Sequence, residues 1–433
     1  MNKWSLGYAI LKFFIKLLHD WFYRRIIIIG KENIPKNKAV IFAPNHQNAL
    51  MDPLAVIFTN PLQTVFLTRA DIFKSFLIPI FSYFKMLPVY RIRDGADSLK
   101  NNEFIFNKSS EILEHKMAMA LFPEALHFGK RSLRPLKKAI PRIVFLTEEK
   151  NNFNVDIEIV PVGIYYDNYI NTNSLLQINY GKPISIKDYK ERYLENPQKA
   201  MLELRDEIYI KIKPLIIDIE DLEYYEIYEK CRYILRKKTA KKNKIHAPNK
   251  NWFKIDKITI FKIATLDKSM KEELKTLLEK FQIIFDKTGL KSYEIAKTNW
   301  IKFILNILML IAGLPIFIFA LINNFIPYYY IHKFLKDKIK DPQFHSSIKF
   351  VIGLFVLPLF YFLLSLIPLI IFRDFYWDYF FALTLTSLIS IKYKLLYNNT
   401  LIHFALIRAR ITRKNEYRNL ITIYNQISRI VLG

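Results

Sequence analysis

The chain has 433 residues, of which 65 are Lys or Arg and 39 are Asp or Glu, so its formal charge is +26. With 52% hydrophobic and 15% aromatic residues against only 10 Gly and 19 Pro, it is neither disordered, collagen-like nor low in complexity. A single cysteine, Cys231, excludes an intramolecular disulfide framework and any cysteine-rich zinc or iron–sulfur site.

The first expected element is a helix within residues 1–25. Ile10, Phe13, Phe14, Leu17, Leu18 and Trp21 fall on one helical stripe interrupted by Lys12 and Lys16, a pattern suited to the headgroup layer of a membrane. Residues 26–190 then alternate short apolar runs with helical periodicity. Strands are predicted at 39–43, 64–68, 117–122, 157–165 and 176–180, and helices at 72–84, 98–115 and 136–147. That alternation predicts an α/β domain with helices around a mixed or parallel sheet. From 191 to 300 the patterns are those of charged helices, split by the lysine-rich linker RKKTAKKNKIHAPNKN.

Residues 301–433 read as a membrane region of about two to four hydrophobic segments with a basic tail. The runs 303–331 and 350–372 contain no Asp, Glu, Lys or Arg and meet the length of about 20 residues that a bilayer span requires. A shorter uncharged run covers 379–391. Lys333, Lys336, Lys338, Lys340 and Lys349 between the first two runs, and the Lys and Arg of the tail, are expected on the cytoplasmic side with the α/β domain. Keeping both there requires an even number of crossings before Lys333. The first run is therefore expected to be a re-entrant pair of half-helices, broken near Gly313–Pro315 or Asn323–Asn324, followed by a true hairpin.

Candidate chemistry lies where predicted strands run into loops. After AVIFA comes Pro44-Asn45-His46-Gln47-Asn48-Ala49-Leu50-Met51-Asp52-Pro53, in which Asp52 can orient the His46 imidazole so that its other nitrogen takes a proton. A pair of this kind also serves to cap a loop, and no second His or carboxylate at metal-ligand spacing accompanies it, so no metal is expected. Leu121-Phe122-Pro123-Glu124-Ala125 ends another predicted strand ahead of Lys130, Arg131, Arg134, Lys137 and Lys138, a carboxylate beside dense positive charge suited to gripping an anion. A third basic segment carries Arg91 and Arg93. The fourth block, 159–164, is an apolar strand containing Pro161 that could wall a channel for a hydrocarbon chain.

In this order the four blocks resemble the glycerolipid acyltransferase family, which includes lysophosphatidate and glycerol-3-phosphate acyltransferases; the likeness covers roughly residues 25–190. The resemblance implies that His46 is the general base, Asp52 its orienting carboxylate, Arg91 or Arg93 a phosphate contact and Glu124 part of acceptor binding, with Pro161 in the fourth block. Asn45, Phe122 and Pro123 flank these groups in the expected substrate site, and Lys130, Arg131 and Lys137 join the pool for a phosphate clamp. Two departures stand out. Five residues, not four, separate His46 from Asp52, as in a subgroup that includes acyltransferases acting on glycerol 3-phosphate and dihydroxyacetone phosphate. Ala125 replaces the usual glycine, so an active site is expected to keep that turn right-handed.

The implied reaction moves an acyl chain from acyl-CoA or acyl carrier protein to a phosphorylated glycerol acceptor beside membrane lipids. It uses no cofactor beyond the thioester co-substrate and no nucleic acid. Two other readings compete with it. A membrane-tethered polyanion or nucleic-acid binder would suit the charge but lacks a recognisable binding signature. An acyltransferase fold without activity, acting as a scaffold, is the other.

Overall fold

The computed structural model describes residues 3–70, 73, 78–90, 98–125, 128–246, 251–293, 300–373 and 377–433. They form two compact units. Met1–Glu220 together with Asp341–Phe350 make the first, and Asp221–Lys340 together with Val351–Gly433 the second.

In chain order the first unit contains α1 (Leu6–Phe22), β1 (Arg25–Ile29), β2 (Ala39–Pro44), α2 (Met51–Thr59), β3 (Thr64–Arg69), α3 (Ile78–Tyr83), β4 (Met86–Val89), α4 (Ser98–Glu114), β5 (Ala118–Ala120), α5 (Ala139–Lys150), β6 (Ile157–Tyr166), β7 (Leu175–Tyr180), β8 (Ile184–Ser185), α6 (Lys190–Glu195) and α7 (Pro197–Ile212). The strands form one sheet in the order β1-β7-β6-β2-β5-β3-β4, with β8 also pairing β6. Neighbours from β6 to β4 are parallel, β6 and β7 are antiparallel, and β1 runs parallel to β7. This is the mixed sheet with surrounding helices that the alternation predicts. Every residue of β2, β6 and β7 is buried, which explains why those strands read as nearly continuous apolar runs. The main core gathers Ile41, Val65, Met119, Ile143, Ile159 and Leu204 from the sheet and from the helices against it.

Helix ends follow their local chemistry. The Ser5 hydroxyl accepts from Tyr8 N at 3.3 Å to cap α1, and Asn196 accepts from Lys199 N at 3.0 Å with Pro197 in the first turn of α7. One face of α1 packs through Tyr8, His19 and Phe22, whereas Ile10, Phe13, Phe14 and Leu17 are 51–62% exposed.

Three strands escape the sequence reading. Arg25–Ile29 is a run of isoleucines with no alternation, Met86–Val89 lies inside the segment read only for its arginines, and Ile184–Ser185 is too short to show a period. Of the predicted helix 72–84 only Ile78–Tyr83 is a described helix, residues 72 and 74–77 lying outside the described set. The fourth block is a strand buried along its whole length. β6 is a buried strand between β2 and β7, and Pro161 sits where its partner changes from β8, opposite Ile159, to β7, opposite Val162. A residue without an N–H is tolerated at such a changeover, and the Pro161 carbonyl still accepts from Gly181 N at 2.8 Å.

The second unit contains α8 (Tyr225–Lys242), α9 (Trp252–Ala264), α10 (Lys268–Thr288) and α11 (Trp300–Lys338); α12 (Gln343–Val351) lies almost wholly in the first unit; α13 (Leu357–Phe372), α14 (Trp377–Thr412) and α15 (Lys414–Leu432) complete the second. Among the described residues three helical stretches, Trp300–Lys338, Gln343–Ile371 and Trp377–Thr412, are long and apolar enough to cross a membrane. The re-entrant reading of the first run is corrected: α11 is one unbroken helix of 39 residues with Pro315 and Pro327 inside it. The residues expected to break it are absorbed instead. Asn323 and Asn324 donate their amides to the Phe319 and Ala320 carbonyls one turn earlier, and Tyr393 donates to the Leu310 carbonyl just before the carbonyl at 311 that Pro315 leaves without its helical partner.

Candidate active site

β2 and β5 pair in parallel, with Val40 opposite Ala118 and Phe42 opposite Ala120. Their carboxyl ends therefore deliver Asn45-His46 and Phe122-Pro123-Glu124 to the same edge of the sheet, where open α/β folds place their sites.

His46 Nδ1 lies 2.9 Å from Asp52 Oδ2. Asp52 is fully buried in the first turn of α2, where the N-terminal end of the helix dipole favours negative charge. Its Oδ2 also accepts from Gln47 N at 2.6 Å and Asn48 N at 2.7 Å, and its Oδ1 accepts from Tyr166 Oη–H at 2.9 Å. Burial, followed by the charge of Asp52, pushes the Tyr166 phenol well above its ordinary range, so Tyr166 stays a neutral donor. A carboxylate held by these groups keeps the imidazole proton on Nδ1 and puts the lone pair on Nε2. The ring stacks on Phe122, with centroids 4.0 Å apart at 20°.

Glu124 has a structural part besides the one expected. It is 3% exposed, and its two oxygens accept from His46 N at 2.8 Å and Arg134 N at 3.0 Å. Each oxygen takes one backbone N–H, so Glu124 ties the protein's own loops together with acceptor capacity to spare. Burial pushes its carboxyl up to about 7 against the pull of those two N–H groups.

The remaining expected substrate contacts divide. Asn45 is buried and bonds the Ile164 backbone through both ends of its amide, at 2.7 and 3.3 Å, so it ties β2 to β6. Pro123 is buried and its carbonyl accepts from Lys137 N at 2.8 Å, while the Lys137 side chain is exposed. Lys130 is half-buried. Arg131 is 1% exposed; its Nη2 donates to the Tyr166 carbonyl at 2.7 Å and its guanidinium lies 4.4 Å from the Tyr169 ring centroid. That burial removes Arg131 from the pool of surface phosphate contacts. Arg91 and Arg93 lie outside the described residues. Among the described residues no group of three or more His, Cys, Asp or Glu could hold a metal ion.

The expected right-handed turn at Ala125 is also corrected. Ala125 has φ +64°, the left-handed region, and its N–H closes the turn onto the Phe122 carbonyl at 3.1 Å. A Cβ is strained there, so Ala125→Gly should stabilise the domain by about 1 kcal/mol, net of the greater freedom of the unfolded glycine chain. Thermal unfolding of the two proteins in the same detergent checks this; a lower melting temperature for the variant would show that the turn is unstrained.

Sequence reasoning missed Tyr166, Tyr169 and the segment 341–350. Nothing local marks a tyrosine at a strand end as a carboxylate partner.

Residues 25–165 match the family model described as Acyltransferase. No curated protein matches the chain. Six solved chains do, among them the 1-acyl-sn-glycerophosphate (LPA) acyltransferase PlsC from Thermotoga maritima. That likeness has 17% identity and a TM-score of 0.36, covering 48% of this chain and 78% of the other.

Proposed function

From the acyltransferase-family domain in the first half of the chain, we propose that the protein moves a fatty acyl group from acyl-CoA or acyl carrier protein to the hydroxyl of glycerol 3-phosphate or lysophosphatidate at a membrane surface. The observation that carries the reading is the Asp52-held imidazole of His46, stacked on Phe122 at the carboxyl edge of the sheet. In the first step His46 Nε2 takes the proton of the acceptor hydroxyl as its oxygen attacks the thioester carbonyl carbon. The tetrahedral intermediate then collapses, the C–S bond breaks, and the imidazolium returns the proton to the departing thiolate. General base catalysis of this kind contributes about 10²- to 10⁴-fold. An acyl thioester is already activated, so no covalent enzyme intermediate is required.

Membrane attachment is supported by the long apolar helices found among the described residues. The exposed apolar face of α1 lies beside a cavity of about 730 Å³ lined by Lys12, Lys16, Arg24, Arg25 and Lys31, a surface suited to anionic headgroups.

Membranes carrying wild type or His46→Ala, supplied with radiolabelled acyl-CoA or acyl carrier protein and a panel of glycerol 3-phosphate, dihydroxyacetone phosphate and lysophosphatidate, test the proposal. Turnover with one acceptor class should be lost in the variant at equal protein level. Equal rates in both would remove the catalytic assignment.

A further inference from the structure

The loop between His46 and Asp52 is held from outside as well as by Asp52. Ala49 within it has φ +36°, outside the usual range of an L-residue, and several of its polar groups find partners almost 300 residues away. Ser346 Oγ donates to Asn48 Oδ1 at 2.7 Å, and Leu50 N donates to Ser347 Oγ at 3.1 Å. With its carboxamide oriented to satisfy both ends, Gln343 accepts from Gly129 N at 3.0 Å and donates to the Gln47 carbonyl at 3.2 Å. Lys349 Nζ reaches the Ile170 carbonyl at 3.1 Å, next to Tyr169, whose hydroxyl donates to Gln47 Oε1 at 2.7 Å.

These contacts come from one side of one helix. Gln343, Ser346, Ser347 and Phe350 stand at i, i+3, i+4 and i+7 of α12, the spacing of a single stripe. Ser346 and Ser347 are buried, and Phe350 is 2% exposed against the rings of His19 and Phe22. The stripe is polar where it meets the loop and aromatic where it meets α1. Asp341–Phe350 belongs to the first unit although the chain before and after it belongs to the second.

We propose that α12 is a positioning element of the acyl-transfer site: Ser346 and Ser347 hold the Gln47–Leu50 loop so that its two N–H groups reach Asp52 and Asp52 reaches His46. The inference rests on the acyl-transfer reading above and extends it to residues between two apolar stretches of the chain. Ser346 and Ser347 touch no reacting atom. They act through Asn48 and the Leu50 backbone, so their loss displaces the carboxylate that orients the base.

The test uses the full chain in membranes. The double variant Ser346→Ala, Ser347→Ala should lower kcat about 10- to 100-fold, one buried hydrogen bond being lost at each position, with KM for the thioester unchanged. Ser346→Thr, Ser347→Thr keeps both hydroxyls and should restore most of the rate. A second measurement is independent of turnover. In a Cys231→Ser background, cysteines at positions 48 and 346 should be joined by a short thiol cross-linker, and cysteines at positions 48 and 115, at opposite ends of the parallel β2–β5 pair, should not. Full activity in the alanine variant, or equal loss with threonine, overturns the positioning role. Absence of the cross-link overturns the docking of α12. A wild type without turnover on any acceptor overturns the acyl-transfer reading itself, a result the cross-link does not share.

Discussion

Asp52→Asn should leave a folded protein with kcat lowered about 10³- to 10⁴-fold and KM for the acyl donor little changed. The geometry separates charge from shape at this position. An asparagine can present its oxygen where Oδ2 now accepts from His46, Gln47 and Asn48, and its amide to Tyr166, whose hydroxyl accepts as readily as it donates. The loop and the ring can therefore stay where they are. What disappears, on the proposed mechanism, is the negative charge that would stabilise the imidazolium formed when His46 takes the acceptor's proton. Acyl transfer measured at matched protein levels decides the matter, and a fall of less than tenfold would mean that Asp52 only caps the loop.

The second large effect lies in the helical unit. Asp256 of α9 is fully buried and accepts from Arg232 Nη1 at 2.7 Å and from Arg236 Nε and Nη2, each at 2.8 Å. The two arginines project one turn apart from α8, and Arg232 also pairs with Glu229 at 2.7 Å. Asp256→Ala would remove the buried carboxylate that two guanidinium groups share between α8 and α9, leaving Arg232 its pair with Glu229. Breaking a buried ion pair from one side costs about 3–5 kcal/mol, far more than the net worth of the intact pair. The variant should therefore show a markedly lower melting temperature in detergent, or fail to accumulate. Its replacement by asparagine, which retains one acceptor, should lose less. A melt unchanged by the alanine exchange would show that water reaches these arginines.

The residues proposed for the chemistry and the residues that hold them differ in how legible they are. His46 and Asp52 stand six positions apart in a loop after a recognisable strand, so their pairing follows from local geometry. Phe122 and Glu124 are marked by a second strand end. Their actual tasks depend on facing partners: Phe122 meets the imidazole face to face, and Glu124 spends both oxygens on backbone N–H groups contributed by two different loops. Arg131 reads as a surface cation in a basic run, yet the fold seals it beneath Tyr169. A charge is visible in a sequence, but its desolvation depends on what packs over it.

The sequence by itself determined the alternation that builds a mostly parallel sheet, the strand-end placement of the histidine, aspartate and glutamate, and the long uncharged runs near the carboxyl terminus. Each is written in short windows by side-chain period, polarity and covalent spacing. Only the tertiary structure decided that Ala125 takes a left-handed turn, that α11 runs unbroken through two prolines, and that Ser346 returns across 298 residues to hold Asn48. Such contacts are fixed by which surfaces meet when the chain closes on itself, and two hydroxyls in an ordinary helix carry no local trace of the loop they will reach.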